Sequence, residues 1–366
     1  MKLIVFSGIN LFSGGTLRIY QEILRTLVEC HYDRKYRIIA FVFNKEDFRE
    51  ITGNIIFIEM PHARDNYLVR LFYEYIYFYF WSKKKRVYTW VAMHDISPNV
   101  KAERRFTYCH SLQAFYDMPK DEIKYDFKCY LLSKLYRYFY KINIKKTTVI
   151  VQQQWIKEKF HNYFGIDNII VANPRISPDT FDKMEMENKN SKYTFIYPAY
   201  PRVFKNFQII CEACKILDEE NLDYQVYFTI DGNENKYSKM LKTKYGHLQK
   251  IRWLGIQNRD ILNKLYLESD CLLFPSKLET WGLPITEFGC MKKSELLADL
   301  EYAHETSKYI ANTYFFNPND ASELAKLMKN MICGEREKNV LALQQEREGN
   351  CINGWKELCK YLFSDN

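Results

Sequence analysis

The sequence predicts an α/β protein of two Rossmann-like domains, each a parallel sheet covered by helices on both faces. Three observations carry this prediction. The chain has 366 residues, more than one ordinary hydrophobic core accommodates. Short apolar runs alternate with amphipathic helical ones along most of it, the βαβα order that builds parallel sheets. Near the middle, Asn173-Pro174 and the charged, apolar-poor stretch 178–191 read as a linker. The expected division is a first domain over 1–180, a second over 190–344, and a helix over 345–366 packing back towards the first, with a cleft between the two domains.

Leu3 to Ser7 reads as a first strand, its apolar run too short for a signal peptide. A polar loop, Asn10 to Thr16, follows. Leu17, Tyr20, Ile23, Leu24, Leu27 and Val28 then recur at helical spacing. Gly14-Gly15 at this helix entry leaves room for a phosphate or a sugar, although a plain tight turn explains it equally well. It is not a full Gly-x-Gly-x-x-Gly fingerprint. Strands are expected at Tyr36–Phe43 and Ile55–Glu59. An aromatic helix over Asp65–Trp81 follows, closed by Lys83-Lys84-Lys85-Arg86. Two readings fit this helix equally. It lies on an anionic membrane surface, or it is a core helix whose terminal cations favour its dipole.

Val87–Met93 is expected to be a strand running into His94-Asp95, and Phe106–Cys109 a shorter one ending at His110. A second basic, aromatic helix is expected over Glu122–Lys146. Strand Thr147–Val151, helix Gln154–Phe164 stopped by Gly165, and strand Ile169–Ala172 complete the first half. In the second half strands fit at Tyr193–Pro198, Gln225–Ile230, Ile251–Leu254, Asp270–Phe274 and Leu296–Asp299. Helices fit at Asn206–Glu219, Asn235–Tyr245, Arg259–Glu268, Ile285–Met291 and Ala321–Met331. The tail 345–362 reads as helical despite Gly349 and Gly354.

Composition narrows the function. The net charge of +8 suits an anionic ligand, an acidic membrane surface or plain solubility. No basic cluster or metal-finger spacing resembles a nucleic-acid reader, so no nucleic-acid partner is expected. Ten cysteines show no framework, and Cys211-Glu212-Ala213-Cys214 reads as one helix face rather than a redox or zinc motif. No run is apolar enough to span a bilayer. The expected location is cytoplasmic, with peripheral attachment to the inner face of the membrane under the first reading of the aromatic helices.

The stretch Phe274 to Glu287 holds the strongest signal. It leaves a short apolar strand, passes one glycine, and enters a helix at Pro284. Glu279 and Glu287 lie in it with seven residues between them. Such strand-to-helix loops bind ligands in open α/β sheets, and helix N-termini favour phosphate oxygens. Glu287 also has a plain explanation as a partner of the helix dipole.

With Phe274-Pro275-Ser276 before it, Glu279-Thr280-Trp281-Gly282-Leu283-Pro284-Ile285-Thr286-Glu287 resembles the E-x7-E signature of the retaining glycosyltransferases of family 4. The likeness extends to Tyr197–Asn206, Ala298–Glu305 and Phe315–Asp320, and so covers most of 193–333. The resemblance implies a GT-B fold. It also implies transfer of a sugar from a nucleoside diphosphate to a glycan or lipid-linked acceptor in surface polysaccharide synthesis, with retained configuration. Implied roles follow by position. Glu287 would hydrogen-bond ribose hydroxyls, and Glu279 the transferred sugar. Gly282 and Leu283 would offer backbone N–H groups to the distal phosphate. Lys205, helped by Arg202, would neutralise the departing diphosphate, with Gly14 and Gly15 on the donor side. His110, and second to it His94, would stand near the reacting sugar.

No Asp-x-Asp occurs in the chain, so neither a metal nor another cofactor is expected. Lys292-Lys293-Ser294-Glu295 departs from the family pattern, and Glu295 is expected to shorten its strand or to meet a cation. Tyr200 stands where the family has an arginine. Two alternatives stay open: another GT-B enzyme, such as a sugar-nucleotide 2-epimerase, and, because of the segment 292–295, a catalytically silent glycan-binding or scaffolding relative.

Overall fold

A computed structural model describes residues 1–174, 192–335 and 351–364. The chain divides into two compact units. One comprises 1–115, 134–175 and 347–366, and the other 116–133 and 176–346. The helix Phe127–Lys141 thus contributes to both.

The first unit is built on an eight-stranded, all-parallel sheet. Its strands are β1 (Leu3–Gly8), β2 (Arg37–Val42), β3 (Ile55–Glu59), β4 (Val87–Ala92), β5 (Ala102–Tyr108), β6 (Thr148–Val151), β7 (Ile169–Asn173) and β14 (Cys351–Asn353). Their order is β14-β7-β6-β5-β4-β1-β2-β3. The second unit has a six-stranded parallel sheet in the order β10-β9-β8-β11-β12-β13. There β8 is Tyr193–Tyr197, β9 Tyr224–Phe228, β10 Ile251–Trp253, β11 Cys271–Phe274, β12 Ser294–Ala298 and β13 Thr313–Phe316. Both units are Rossmann-like, as expected.

The two orders share one property. In the first sheet the chain runs outward from β1 through β2 to β3, then returns to the other side of β1 to form β4. In the second it runs outward from β8 through β9 to β10, then returns to lay β11 on the other side of β8. Strand order therefore reverses between β1 and β4, and again between β8 and β11. At such switch points the loops leaving two neighbouring strands part to opposite faces, and a crevice opens beyond their carboxyl ends.

The central strands are apolar runs without alternation, as sheets covered on both faces require. Every residue of β1, β4 and β11 is buried. One face of the first sheet packs on helix Gly14–Glu29 through Ile19, Tyr20, Ile23, Leu24 and Leu27, which share one helical stripe. Gly8 is needed where β1 meets that helix, because a Cβ there would lie 2.5 Å from the Tyr20 ring. Trp355, Leu358 and Leu362 of the C-terminal helix Trp355–Phe363 join the same core. Each fully buried side chain of that size contributes about 1.5–3 kcal/mol. Arg104 on β5 caps this helix by donating to the carbonyls of Tyr361, Leu362 and Ser364. On the opposite face Phe78 meets Phe41 and Trp90.

Several elements differ from expectation. The tail is not helical throughout. Cys351–Asn353 adds to the sheet as β14 beside β7, Gly354 turns with φ 82°, and the helix begins only at Trp355. Residues 345–350, like the expected linker 178–191, lie outside the described residues. The strand Thr313–Phe316 and the short helix Glu301–Thr306 were not read from the sequence. The second aromatic helix starts at Phe127 rather than Glu122, where the Asp126 carboxylate accepts from the Cys129 N–H at 3.1 Å. The first aromatic helix is three pieces: α-helix Tyr67–Phe72, a π turn Tyr73–Tyr77, and α-helix Phe78–Lys85.

Glu295 was expected to shorten its strand or to meet a cation, and it does neither. The residue is wholly buried within β12, paired between Leu272 and Thr313, and its carboxyl oxygens have no hydrogen-bond partner. Burial pushes its pKa well up, so the strand carries a neutral acid. The neighbouring departure has a structural explanation. Lys293 donates to the carbonyls of Tyr266, Leu267 and Ser269 at 2.6–3.1 Å, closing the C-terminus of helix Arg259–Glu268.

Candidate active site

The expected site residues fall into two groups, one in each unit, and each group sits at or next to a switch point.

In the second unit the loops leaving β8, β11 and β13 are tied together by backbone acceptors. The loop after β8 ends in a 3₁₀ turn, Val203–Lys205, and then Asn206 in left-handed conformation. That backbone aims the Asn206 amide at two other loops: it donates to the Pro275 carbonyl at 3.3 Å and to the Pro318 carbonyl at 2.8 Å. The Tyr197 hydroxyl donates to the Lys205 carbonyl at 2.7 Å, and the Lys277 N–H to the Phe204 carbonyl at 2.7 Å. Tyr302 closes the loop after β11 by donating to the Ser276 carbonyl at 2.7 Å. Three loops that wander separately in sequence are thus one rigid platform.

On this platform Lys205 and Glu279 are brought together as an ion pair, both largely sheltered from solvent. Lys205 also stands 5.9 Å from the centre of the Phe274 ring. Gly282, with φ 81°, ends the loop and Leu283 opens the helix Leu283–Gly289. A side chain at Gly282 would be strained in its backbone and would crowd Ile285 and Phe274. Glu287 is buried on that helix. Its Oε2 accepts from Arg259 Nη1 at 2.8 Å and from the Tyr266 hydroxyl at 3.2 Å.

Arg202 is held elsewhere. Its Nη1 donates to both carboxylate oxygens of Asp126, at 3.0 and 2.8 Å. Asp126, Arg259 and Tyr266 were not singled out in the sequence. Asp126 lies far away in the chain, and Arg259 is an ordinary first-turn helix residue until Glu287 is seen beside it.

In the first unit Gly14 and Gly15 open the helix that follows β1, Gly14 with φ 70° and open space where a Cβ would point. His94 follows β4 and His110 follows β5, so Gly14, Gly15 and His94 come from the loops at the β1/β4 switch point and His110 from the loop one strand beyond it. Both histidines are packed into the protein. His94 directs Nδ1 at the Ser7 carbonyl, 2.8 Å away, which only accepts, so this nitrogen carries a proton. Its Nε2 forms an ion-pair contact with Glu74, itself fully buried on the π turn.

Asp95, in left-handed conformation with φ 70°, accepts from the N–H groups of His110 and Ser111 at 2.6 and 2.9 Å. A non-glycine residue there is strained, a feature found where surrounding structure fixes a functional geometry. The His110 ring lies against Tyr108, with centres 4.7 Å apart. Burial lowers its pKa to about 4, with Asp95 pulling the other way, so the imidazole is neutral at pH 7. Arg70 donates to the His94 carbonyl at 3.2 Å and completes the support. Glu74 and Arg70 were read in sequence only as parts of an aromatic helix. Their four-residue spacing, with every other charge of the helix at its end, was the available signal.

The Cys211 and Cys214 thiols are buried on helix Phe207–Leu217, and burial pushes both pKa values up, the opposite of an activated redox pair. None of the ten cysteines is joined in a disulfide. Among the described residues no group of three or more His, Cys, Asp or Glu side chains could hold a metal ion, and no helix is long and apolar enough to cross a membrane.

Residues 179–346 match the model of the family described as Glycosyl transferases group 1. No curated protein matches the sequence. The fold is that of GT-B glycosyltransferase structures. A glycosyltransferase from Rickettsia africae is 20% identical, with a TM-score of 0.66 over 91% of this chain and 88% of that one. WaaG, a glycosyltransferase involved in lipopolysaccharide biosynthesis, is 12% identical, with a TM-score of 0.64 over 90% of each chain. HepE of Anabaena in complex with UDP-glucose is 14% identical, with a TM-score of 0.63 over 91% of this chain and 90% of that one.

Proposed function

We propose that the protein is a retaining, metal-independent glycosyltransferase of family 4. It would move a sugar from a nucleoside-diphosphate sugar to a glycan or lipid-linked acceptor in surface polysaccharide synthesis. The observation that carries this reading is the platform at the second switch point, with Lys205 against Glu279 and Glu287 buried within reach of Arg259. The group 1 match over the same unit and a structural neighbour that binds UDP-glucose support it.

In this reading the donor replaces internal partners. Lys205 exchanges the Glu279 carboxylate for the diphosphate and neutralises the charge that grows on it as the glycosidic bond breaks. Glu279, released, accepts from hydroxyls of the transferred sugar. Glu287, held by Arg259 and Tyr266, presents carboxylate acceptors to the paired ribose hydroxyls. The Gly282 and Leu283 N–H groups meet the distal phosphate. Arg202 takes part only when it leaves Asp126, and so serves as a reserve cation. The neutral His110, backed by His94, stands on the acceptor side as a hydrogen-bonding group for the reacting sugar. Cationic side chains do the work a divalent ion would otherwise do.

A screen of nucleotide sugars for slow hydrolysis tests the reading without an acceptor. Turnover of at least one donor, unaffected by chelator, is expected. Absence of binding and cleavage for all of them would favour the silent relative.

A further inference from the structure

We propose that the exposed face of the aromatic helix Tyr67–Lys85 is a docking surface for an anionic lipid bilayer. The inference rests on the proposed function only in taking the lipid surface as the acceptor side; its geometry stands alone.

Leu68, Phe72, Ile76 and Phe80 are 76%, 48%, 50% and 58% exposed. They form one row with a strict spacing of four, which Lys84 continues. The opposite row, Arg70, Glu74, Phe78 and Ser82, is buried with the same spacing. In a plain α-helix, four residues overshoot one turn by about 40°, so over four steps such a row would wander about 160° round the helix. The π turn Tyr73–Tyr77 cuts this to about 60°. Its wider i→i+5 turn takes in one extra residue, and winds the row back by about 100°. The carbonyls of Glu74 and Tyr75 in this turn are taken up by the Asn99 N–H and side-chain amide, at 2.9 and 3.3 Å. A costly local irregularity thus keeps large apolar side chains in line on the outside, where the core gains nothing from them.

Charge decides the occupant. From Asn66 to Arg86 the only acidic residue is Glu74, which is fully buried against His94, while Lys83, Lys84, Lys85 and Arg86 are all exposed. An apolar row flanked by cations and without surface carboxylates matches the interface of an anionic membrane. A neighbouring element repeats the pattern. Tyr136 of helix Phe127–Lys141 meets buried Arg70, while Leu135, Tyr138 and Ile142 are exposed beside Lys134, Lys141 and Lys145. The inner row of the docking helix holds His94 through Glu74, so docking brings the β1/β4 switch point to the lipid surface.

Flotation of the full chain with vesicles tests this. Recovery with phosphatidylglycerol–phosphatidylcholine vesicles at low salt is expected, and little with phosphatidylcholine alone. The triple change Leu68→Ser, Phe72→Ser and Phe80→Ser is expected to weaken recovery about tenfold or more while circular dichroism stays unchanged. Lys83→Glu with Lys85→Glu should abolish the preference for anionic lipid. Equal recovery with both vesicles, no recovery with either, or a folded triple variant floating like the parent would overturn the proposal. So would loss of self-association, seen in sedimentation, as the only effect of the triple change. Flotation does not depend on turnover, so its failure leaves the nucleotide-sugar reading standing, and the reverse also holds.

Discussion

Two titratable groups, the buried Glu295 and the partly buried His110, act on stability in opposite directions. The Glu295 pKa is raised in the folded chain, so folding favours the protonated acid and its stability is lost as pH rises above the unfolded value of about 4.3. Glu295→Gln, neutral throughout, is expected to melt higher than the parent at pH 7.5. The gap should grow by up to about 1.4 kcal/mol per pH unit between pH 5 and 7.5. A gap independent of pH would contradict the burial of an acid there. His110 is the reverse case, with a folded pKa near 4 against an ordinary 6.5. Its contribution is present above pH 6.5 and lost as pH falls through 4. Thermal melts of His110→Gln should therefore fall less steeply than the parent's over that window. Lys205, Glu279 and Glu287 were legible in the sequence because they lie in or beside strand-to-helix loops that resemble a known signature, and His94 and His110 because each follows an apolar strand. Their partners were not. Asp126 and Arg259 gain meaning only from contacts tens of residues apart in the chain, which no local spacing encodes, and Glu74 is marked only by its place four residues after Arg70.

At the scale of elements, most strands were readable because central parallel strands are unbroken apolar runs. The exceptions have physical causes. Thr313–Phe316 is four residues long and only half-buried in its middle, so neither an apolar run nor a clean alternation marks it. Cys351–Asn353 is three residues long and becomes a strand only because β7 offers an open edge. The π turn is invisible to a search at period 3.6, although the period of four in the buried row encodes it. Within the loop platform, Asn206 is the joint. Asn206→Ala removes a donor from two buried carbonyls, at an expected cost of about 1–3 kcal/mol. It should also weaken nucleotide binding without touching any group that meets the ligand. Unchanged nucleotide affinity in a destabilised Asn206→Ala would show that the platform does not position Lys205.

At the scale of the whole molecule, chain order and structural division do not coincide. The last helix completes the core of the first unit, with Trp355, Leu358 and Leu362 buried there and Arg104 capping its end. Removing 351–366 is therefore expected to destabilise the first unit selectively, read as a separate, lower transition in calorimetry and early proteolysis within 1–115. Loss of both units in a single unchanged transition would contradict that division. The two sheets each carry their candidate residues at or next to the point where strand order reverses. Strand order is not legible from local patterns, yet the motifs lie at or next to both switch points, because loops there are the ones free to hold ligands.

The central claim is that the second unit holds a nucleoside diphosphate through Lys205 and Glu287. Titration calorimetry of the intact chain with UDP and with GDP tests it most directly. Saturable binding of at least one of them is expected, weakened about tenfold or more by Lys205→Ala and by Glu287→Ala, each checked for folding. Absence of heat with both nucleotides, or binding that neither substitution changes, would contradict the account.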